Sequence, residues 1–242
     1  MYYSAIGILA LMILLIENQD IILNRSGAFD NRAWKVYRKF LFSVMIYYVT
    51  DIFWGIIEAR KLSYLLFVDT SFYFIAMAAG VFYWTRYVVV YLGDDKLYNK
   101  FLSVGGSIIA VAVTILSAVN IFVPVLFTVD HECVYKALPA RYVILAAQIF
   151  VLYMISIHAV ISMLRKKTPE DIRKRQRTLA FFGLIMATFL TIQIWFPYLP
   201  VYAIAYMLGT CLLRAIVIGD EKEEYRKKLA EAIRVDEERR LA

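Results

Sequence analysis

Long apolar segments alternate with short charged connectors along residues 1–218 of the 242-residue chain. Each segment has the length of a membrane-spanning helix, because a hydrocarbon core of roughly 30 Å requires about 20 mostly apolar residues. The pattern therefore predicts an all-α, polytopic membrane protein built as a seven-transmembrane-helix bundle. The predicted helices cover residues 2–23, 40–59, 63–91, 101–122, 142–164, 178–196 and 199–218.

The last two predicted helices are separated only by the short, proline-containing stretch 197–200. This stretch could also be a kink in one longer helix. Two helices are the better interpretation, because the combined segment is too long for a single crossing.

Composition and charge support a membrane protein and indicate its orientation. The chain is 62% hydrophobic with a mean hydropathy of +0.63, far from the average soluble domain. Lys and Arg concentrate in the first, third and fifth connectors, which the positive-inside rule places in the cytoplasm. We therefore predict an outer N-terminus and a cytoplasmic C-terminus. The net charge of +7 is explained by this topology, so the expected partner is the lipid bilayer and not a nucleic acid.

The two cysteines, Cys133 and Cys211, fall at different predicted depths, about 20 Å apart at 1.5 Å of rise per residue. A disulfide needs Cα atoms within about 7 Å, so none is expected. Neither cysteine has a His or Cys at metal-ligand spacing, and the chain shows no nucleophile–base pair or phosphate loop. No catalytic residue, metal site or cofactor is predicted.

Polar residues near the outer ends of the predicted helices form a candidate ligand site. Asp51, Trp54 and Glu58 follow at i, i+3 and i+7 on one helix face, and Asp69 and Tyr73 at i and i+4 on the next helix. Acidic side chains inside membrane spans are costly and by default suggest function. A structural hydrogen-bond network is the alternative. If a ligand binds, the acidic groups favour a small cationic or hydroxyl-rich molecule. Further candidates at similar depth are Gln148, Gln193, Tyr202 and Tyr206.

A second polar layer is predicted near the cytoplasmic side. Arg86 or Arg214 could pair with Glu17 or Asp20, which would couple the helices mechanically. Arg86 could equally extend into the lipid headgroups.

Residues 219–242 are polar and free of proline, so the last helix is expected to continue into the cytoplasm as a helical stalk. Tyr225, Leu229, Ala232 and Ile233 form a narrow apolar seam, as in helices that pair in coiled coils. The seam predicts a parallel homodimer, whereas a solvated tail would explain the charge alone.

Several stretches carry a family resemblance: YYVTDIFWG at 47–55, FIAMAA at 74–79, WTRY at 84–87, YAIAYMLGTCLL at 202–213 and DEKEEYR at 220–226. The chain resembles the seven-helix sensory region that precedes diguanylate cyclase, and sometimes histidine kinase, domains in Gram-positive bacteria. The resemblance implies a sensory domain at 1–218, a signalling helix at 219–242 and a multi-pass location in the bacterial plasma membrane. It also implies a role in cyclic di-GMP signalling or a kinase pathway.

The cyclase and kinase signatures are absent from the 242 residues, so the chain itself is not expected to be an enzyme. Any catalytic output domain is expected beyond Ala242. A membrane receptor module is the favoured function. A small-molecule or ion transporter is the competing one, although internal repeats and helices broken near the midplane, typical of transporters, are not evident.

Overall fold

The computed structural model describes residues 2–23, 32–92, 96–164, 170–196 and 199–241. These residues form helices and one short β-hairpin. Parts of the first and fifth predicted connectors, residues 24–31 and 165–169, lie outside the described residues, as do 93–95 and 197–198. In chain order the elements are α1 Tyr2–Glu17, α2 Gln19–Ile22, α3 Arg32–Ala59, α4 Ser63–Leu92, α5 Lys96–Val119, β1 Phe127–Val129, β2 Tyr135–Ala137, α6 Pro139–Leu164, α7 Glu170–Trp195 and α8 Val201–Leu241.

Five of the described helices are long and apolar enough to cross a membrane. They contain the stretches Arg32–Ala59, Ser63–Tyr91, Leu97–Val119, Pro139–Leu164 and Gln176–Trp195. The stretches Ser4–Glu17 and Val201–Ala215 are shorter apolar helices. The chain is thus an α-helical protein compatible with several membrane crossings.

The helices form a closed ring in chain order. α1 packs on α3, and each helix from α3 to α8 packs on the next. The ring closes where α8 packs on α1. Short connections make successive helices antiparallel. Large apolar side chains cover the outside, including Ile46, Phe72, Ile108, Val143 and Phe181, as expected for a lipid-facing surface.

α7 and α8 are two separate helices, as the interpretation of the 197–200 stretch requires. They lie side by side, since a Cβ placed on Gly209 of α8 would collide with the Phe182 ring of α7. These residues lie well away from the α7–α8 connection, so the two helices are antiparallel and not halves of one kinked helix.

The first predicted helix is interrupted at Asn18, which separates α1 from α2. The Asn18 side chain donates from Nδ2 to the Leu14 carbonyl at 3.1 Å, and its Oδ1 accepts from the Tyr37 hydroxyl at 3.1 Å. The buried amide therefore ties the end of α1 to α3.

The all-α prediction missed a β-hairpin between α5 and α6. β1 and β2 are antiparallel, with Phe127 opposite Ala137 and Val129 opposite Tyr135. The buried Asn120 anchors the hairpin. Its Oδ1 accepts from the backbone N–H groups of Val125 and Leu126 at 2.7 and 2.8 Å, and its Nδ2 donates to the Phe127 carbonyl at 3.1 Å.

The hairpin marks one end of the ring, here called the hairpin end; the opposite end is the tail end. α8 runs as one 41-residue helix to Leu241. In the predicted seam, Leu229 and Ile233 are 50% and 51% exposed. The side chain of Tyr225 lies outside the described part of the chain.

Candidate functional site

Five tyrosines join α3, α4 and α8 in the hairpin half of the ring. Tyr47 lies at the centre, with its ring centroid 5.1 Å from those of Tyr73 and Tyr202 and 5.4 Å from that of Tyr206. The hydroxyls of Tyr47 and Tyr73 are 3.2 Å apart. Tyr48 donates to the Ala203 carbonyl at 3.4 Å. This set is called the tyrosine cluster.

The cluster reaches α6 through Gln148. The Tyr202 hydroxyl donates to Gln148 Oε1 at 3.4 Å and lies 3.4 Å from the Tyr206 hydroxyl. Gln148 is fully buried, so four helices share one polar contact zone.

Small residues allow this close packing. A Cβ on Gly80 of α4 would collide with the Tyr206 hydroxyl and lie 2.9 Å from its Cζ. Ala76-xxx-Gly80 on α4 and Ala205-xxx-Gly209 on α8 are small-xxx-small pairs, and Ala76 and Ala205 are buried as well. The pairs thus bring α4, α7 and α8 together, which small residues favour between membrane helices.

Two carboxyl groups lie one helical turn beyond the tyrosine cluster, toward the hairpin. Asp51 follows Tyr47 on α3 by four residues and is fully buried. Neither of its carboxyl oxygens has a hydrogen-bond partner among the described residues. Asp69 precedes Tyr73 on α4 by four residues, and its buried Oδ2 likewise lacks a described partner. The two groups are close enough to interact electrostatically.

α1 covers the other side of Asp51. A Cβ on Gly7 would lie 3.3 Å from Asp51 Oδ2, and Ser4 donates from Oγ to the Ile52 carbonyl at 3.0 Å. The acidic group is thus enclosed by helices, and burying an uncompensated carboxylate in this way is costly.

Trp54 connects the carboxyl pair to the hairpin. Its Nε1 donates to Thr70 Oγ1 at 3.1 Å, next to Asp69, and its ring lies edge-on to Tyr135 of β2 with centroids 6.4 Å apart. Phe127 of β1 packs on the Phe67 ring of α4 at 5.1 Å. The hairpin therefore forms a roof over α3 and α4.

Most predicted ligand-site residues fall in this region. Asp51, Trp54 and Asp69 lie beneath the roof, whereas Glu58 is half-buried at its rim. Gln193 is buried on α7. The hairpin-end site is defined here as Tyr47, Asp51, Trp54, Asp69, Tyr73, Gln148, Tyr202 and Tyr206.

Sequence reasoning missed Tyr47, Tyr48 and Arg141. The two tyrosines precede Asp51 by four and three residues, so helical periodicity could have found them. Arg141 directly precedes the predicted helix 142–164, where a basic residue is ordinarily exposed, yet it is 5% exposed. Its burial had no signal in the sequence.

The tail end contains a second polar group, here called the tail-end network. Arg214 Nη2 of α8 donates to Asp20 Oδ2 of α2 at 2.8 Å, one of the pairings that matching depths allowed. The exposed Glu17 is close enough to Cys211 of α8 to interact electrostatically. With Asn18 and Tyr37, these residues tie the end of α1 and α2 to both α3 and α8.

Arg86 behaves differently from Arg214. It is exposed, and its Cζ lies 5.4 Å from the centroid of the Phe82 ring on the same helix.

Within the described ranges, no three His, Cys, Asp or Glu side chains are placed to hold a metal ion. No protein-family model matches the chain, and no curated protein is significantly similar to it. The geometry of the two polar groups is therefore the basis for any functional conclusion.

Proposed function

We propose that the chain is the sensory module of a membrane receptor. A small ligand binds at the hairpin-end site, and a conformational signal passes to a cytoplasmic output domain, a diguanylate cyclase or a kinase. The observation that carries this proposal is that α8 contributes to both polar groups and then continues as a single helix.

α8 is suited to transmit a signal. Tyr202 and Tyr206 lie in the hairpin-end site, and Arg214 follows Tyr206 by about two helical turns. Because the helix is unbroken, a shift or rotation at Tyr206 displaces Arg214 against Asp20. It also displaces the stretch beyond the ring, as in other helix-shift transitions.

The proposed topology has seven crossings, an outer N-terminus and a cytoplasmic C-terminus in the bacterial plasma membrane. Its support is the ring itself. The apolar stretches Ser4–Glu17 and Val201–Ala215 occupy places in it equivalent to those of the five longer helices. The connectors rich in Lys and Arg then face the cytoplasm.

The proposed stalk at 219–242 forms a parallel homodimer. Leu229 and Ile233 support this, since these apolar side chains are half-exposed on a single chain and a second copy of α8 would cover them.

Binding measurements test the ligand site. We expect radiolabelled choline, putrescine or glucose, as cationic and hydroxyl-rich probes, to bind the wild-type chain in lipid nanodiscs. Binding should weaken by about tenfold or more in Asp51→Asn and Asp69→Asn, because a lost charge-assisted contact contributes about 1.5–3 kcal/mol. Glu132→Gln is the matched control, since it removes an exposed carboxylate of the hairpin. Unchanged affinity in both aspartate variants would contradict the proposed site.

A transporter is the competing function, and Asp51 is the observation that favours it. A buried, unpaired carboxyl in a membrane span is also a feature of proton-coupled transporters. In liposomes, the receptor proposal expects probe binding without accumulation inside under a proton or sodium gradient. Gradient-dependent uptake that Asp51→Asn abolishes would establish the transporter instead.

A further inference from the structure

The buried face of α6 presents two nitrogen groups without partners. Arg141 Nη1 and Gln148 Nε2 are buried and have no hydrogen-bond acceptor in the described part of the chain. The two residues are seven positions apart, so they lie on the same face, about two turns from each other. Because Gln148 contacts Tyr202, this face points toward the interior of the ring.

The opposite wall presents oxygens without partners. Asp51 has two and Asp69 has one. Asp51 is fully buried, and it lies one helical turn from Tyr47 of the tyrosine cluster. One wall of the site thus offers carboxyl oxygens as acceptors, and the other offers N–H donors, including those of an arginine.

The two walls are close together. At the level of the tyrosine cluster, the Tyr202 side chain contacts both α3 and α6: its ring lies 5.1 Å from that of Tyr47 and its hydroxyl 3.4 Å from Gln148. Asp51 is one turn above this floor, and Arg141 is two turns above Gln148. Since one tyrosine side chain connects the two walls, a small molecule of similar length would reach both.

The roof contributes to both walls. Tyr135 of β2 contacts Trp54 on the acidic side, and β2 leads through Leu138 directly into α6, whose third residue is Arg141. Arg141 is therefore close to the hairpin in the chain and buried, with its guanidinium carbon 5.4 Å from the centroid of the Tyr142 ring.

We infer that the hairpin-end site binds a zwitterion of amino-acid size, with its ammonium group on Asp51 and Asp69 and its carboxylate on Arg141. The inference rests on the proposed function and narrows its ligand class. The guanidinium group is suited to this role because its planar N–H donors match the two oxygens of a carboxylate. A zwitterion also compensates both kinds of buried charge at once, which a simple cation does not.

Matched pairs of probes test the inference. Phenylalanine, tyrosine, histidine and leucine are each compared with the amine that lacks only the carboxylate: phenethylamine, tyramine, histamine and 3-methylbutylamine. Affinities are measured by isothermal titration calorimetry on the chain in lipid nanodiscs. For at least one pair we expect the amino acid to bind about tenfold or more tightly than its amine, as a charge-assisted contact predicts.

Variants of Arg141 locate the contact. In Arg141→Gln this preference should fall to about twofold or less, while the affinity for the amine stays within about twofold, since the amine makes no contact there. Arg141→Lys, which keeps the charge, should retain part of the preference. Arg60→Gln is the matched control, because it removes an exposed arginine at the same end of the ring, and it should leave the preference unchanged.

If the amines bind the wild-type chain as tightly as their amino acids do, the zwitterion inference is wrong, whereas the receptor proposal is unaffected. The same conclusion follows if the preference persists in a folded Arg141→Gln protein, or if only choline, putrescine or glucose binds. If no amino acid, amine, choline, putrescine or glucose binds, both proposals fail.

Discussion

At the tail end of the ring, Asp20 and Arg214 bury opposite charges against each other, with Nη2 2.8 Å from Oδ2. At the hairpin end, Asp51 and Asp69 bury like groups near each other, and three of their oxygens lack a partner among the described residues. The first arrangement contributes to the fold by itself. The second costs stability unless something else supplies the compensating charge, and this difference is the basis for proposing a ligand at the hairpin end.

α8 contributes side chains to both ends of the ring. Arg214 uses one donor on Asp20, while its Nε and Nη1 have no acceptor among the residues described. With Glu17 close to the neighbouring turn of α8, a small rotation of the helix would give Arg214 a different acidic partner. The proposed ligand-driven switch requires that two such arrangements have similar energy.

The largest effect is expected from breaking the tail-end network. Arg214→Met should destabilise the chain by about 2–3 kcal/mol, below the range for fully buried pairs because Asp20 is 32% exposed. Thermal unfolding in detergent measures this, with about 2–4 °C expected per kcal/mol. Arg86→Met is the matched control, and it should change stability by less than about 0.5 kcal/mol because Arg86 is exposed. Equal effects of the two variants would show that the Arg214–Asp20 pair stabilises the fold no more than an exposed arginine does.

A smaller loss of stability is expected where Gly80 packs on Tyr206 of the tyrosine cluster. Gly80→Ala should cost about 1–3 kcal/mol by overpacking, because Tyr206 is held between other aromatic rings and cannot easily move. Gly105→Ala is the control, since a Cβ there meets no atom within 4 Å, and it should be neutral or stabilising by about 0.5–1 kcal/mol. Differential scanning fluorimetry compares them. If both alanines are tolerated alike, α4 and α8 do not pack as closely as described.

Asp51→Asn should act in the opposite direction to Arg214→Met. Replacing a buried carboxyl that has no partner among the described residues by a neutral amide should stabilise the ligand-free chain by about 1 kcal/mol, while ligand binding weakens by about tenfold or more. Asp20→Asn is the matched variant with a paired carboxyl, and it should be destabilising. The sign of the two shifts in unfolding temperature tests this difference. A destabilised Asp51→Asn protein would show that the Asp51 carboxyl stabilises the fold, as the paired Asp20 carboxyl does.

The smallest effect on the ring is expected from the stalk. A cysteine in place of Leu229, in a chain without Cys133 and Cys211, should leave stability within about 0.5 kcal/mol, because the side chain is half-exposed. In membranes it should form a disulfide between two chains, with an efficiency that changes on ligand addition. A cysteine in place of Glu231, on the opposite helix face, should crosslink less. A chain that crosslinks equally at both positions, or at neither, would remove the stalk dimer from the mechanism.

The hydrophobic pattern was sufficient to predict the helices and much of the hairpin-end site. Asp51, Trp54 and Asp69 were identified because acidic and indole groups within apolar segments stand out and repeat at helical spacing. The predicted ends differed most where polar residues continue a helix beyond its apolar part, as at Arg32 and Glu170, because hydropathy records solvent preference and not backbone hydrogen bonding.

The β-hairpin and the role of Arg141 could not be predicted in this way. The hairpin depends on one buried side chain, Asn120, which supplies hydrogen bonds to a loop of ordinary composition. Arg141 follows a proline-containing loop, and the sequence does not distinguish it from the exposed arginines that indicate membrane topology. Whether such a residue is buried depends on what packs over it from distant parts of the chain.

By itself the sequence indicated the apolar helices, of which five are long enough to cross a membrane, the polar positions on each helix face and the unbroken course of the last helix. Helical periodicity and membrane thickness are local constraints, so they can be read along the chain. Only the tertiary structure decided which polar groups meet: Asp20 with Arg214, the five tyrosines with one another, and Asp51 and Asp69 with no counterion in the part of the chain that the structure describes. The physical reason is that the energy of a buried charge depends on its nearest neighbours in space, and those neighbours come from helices far apart in the sequence.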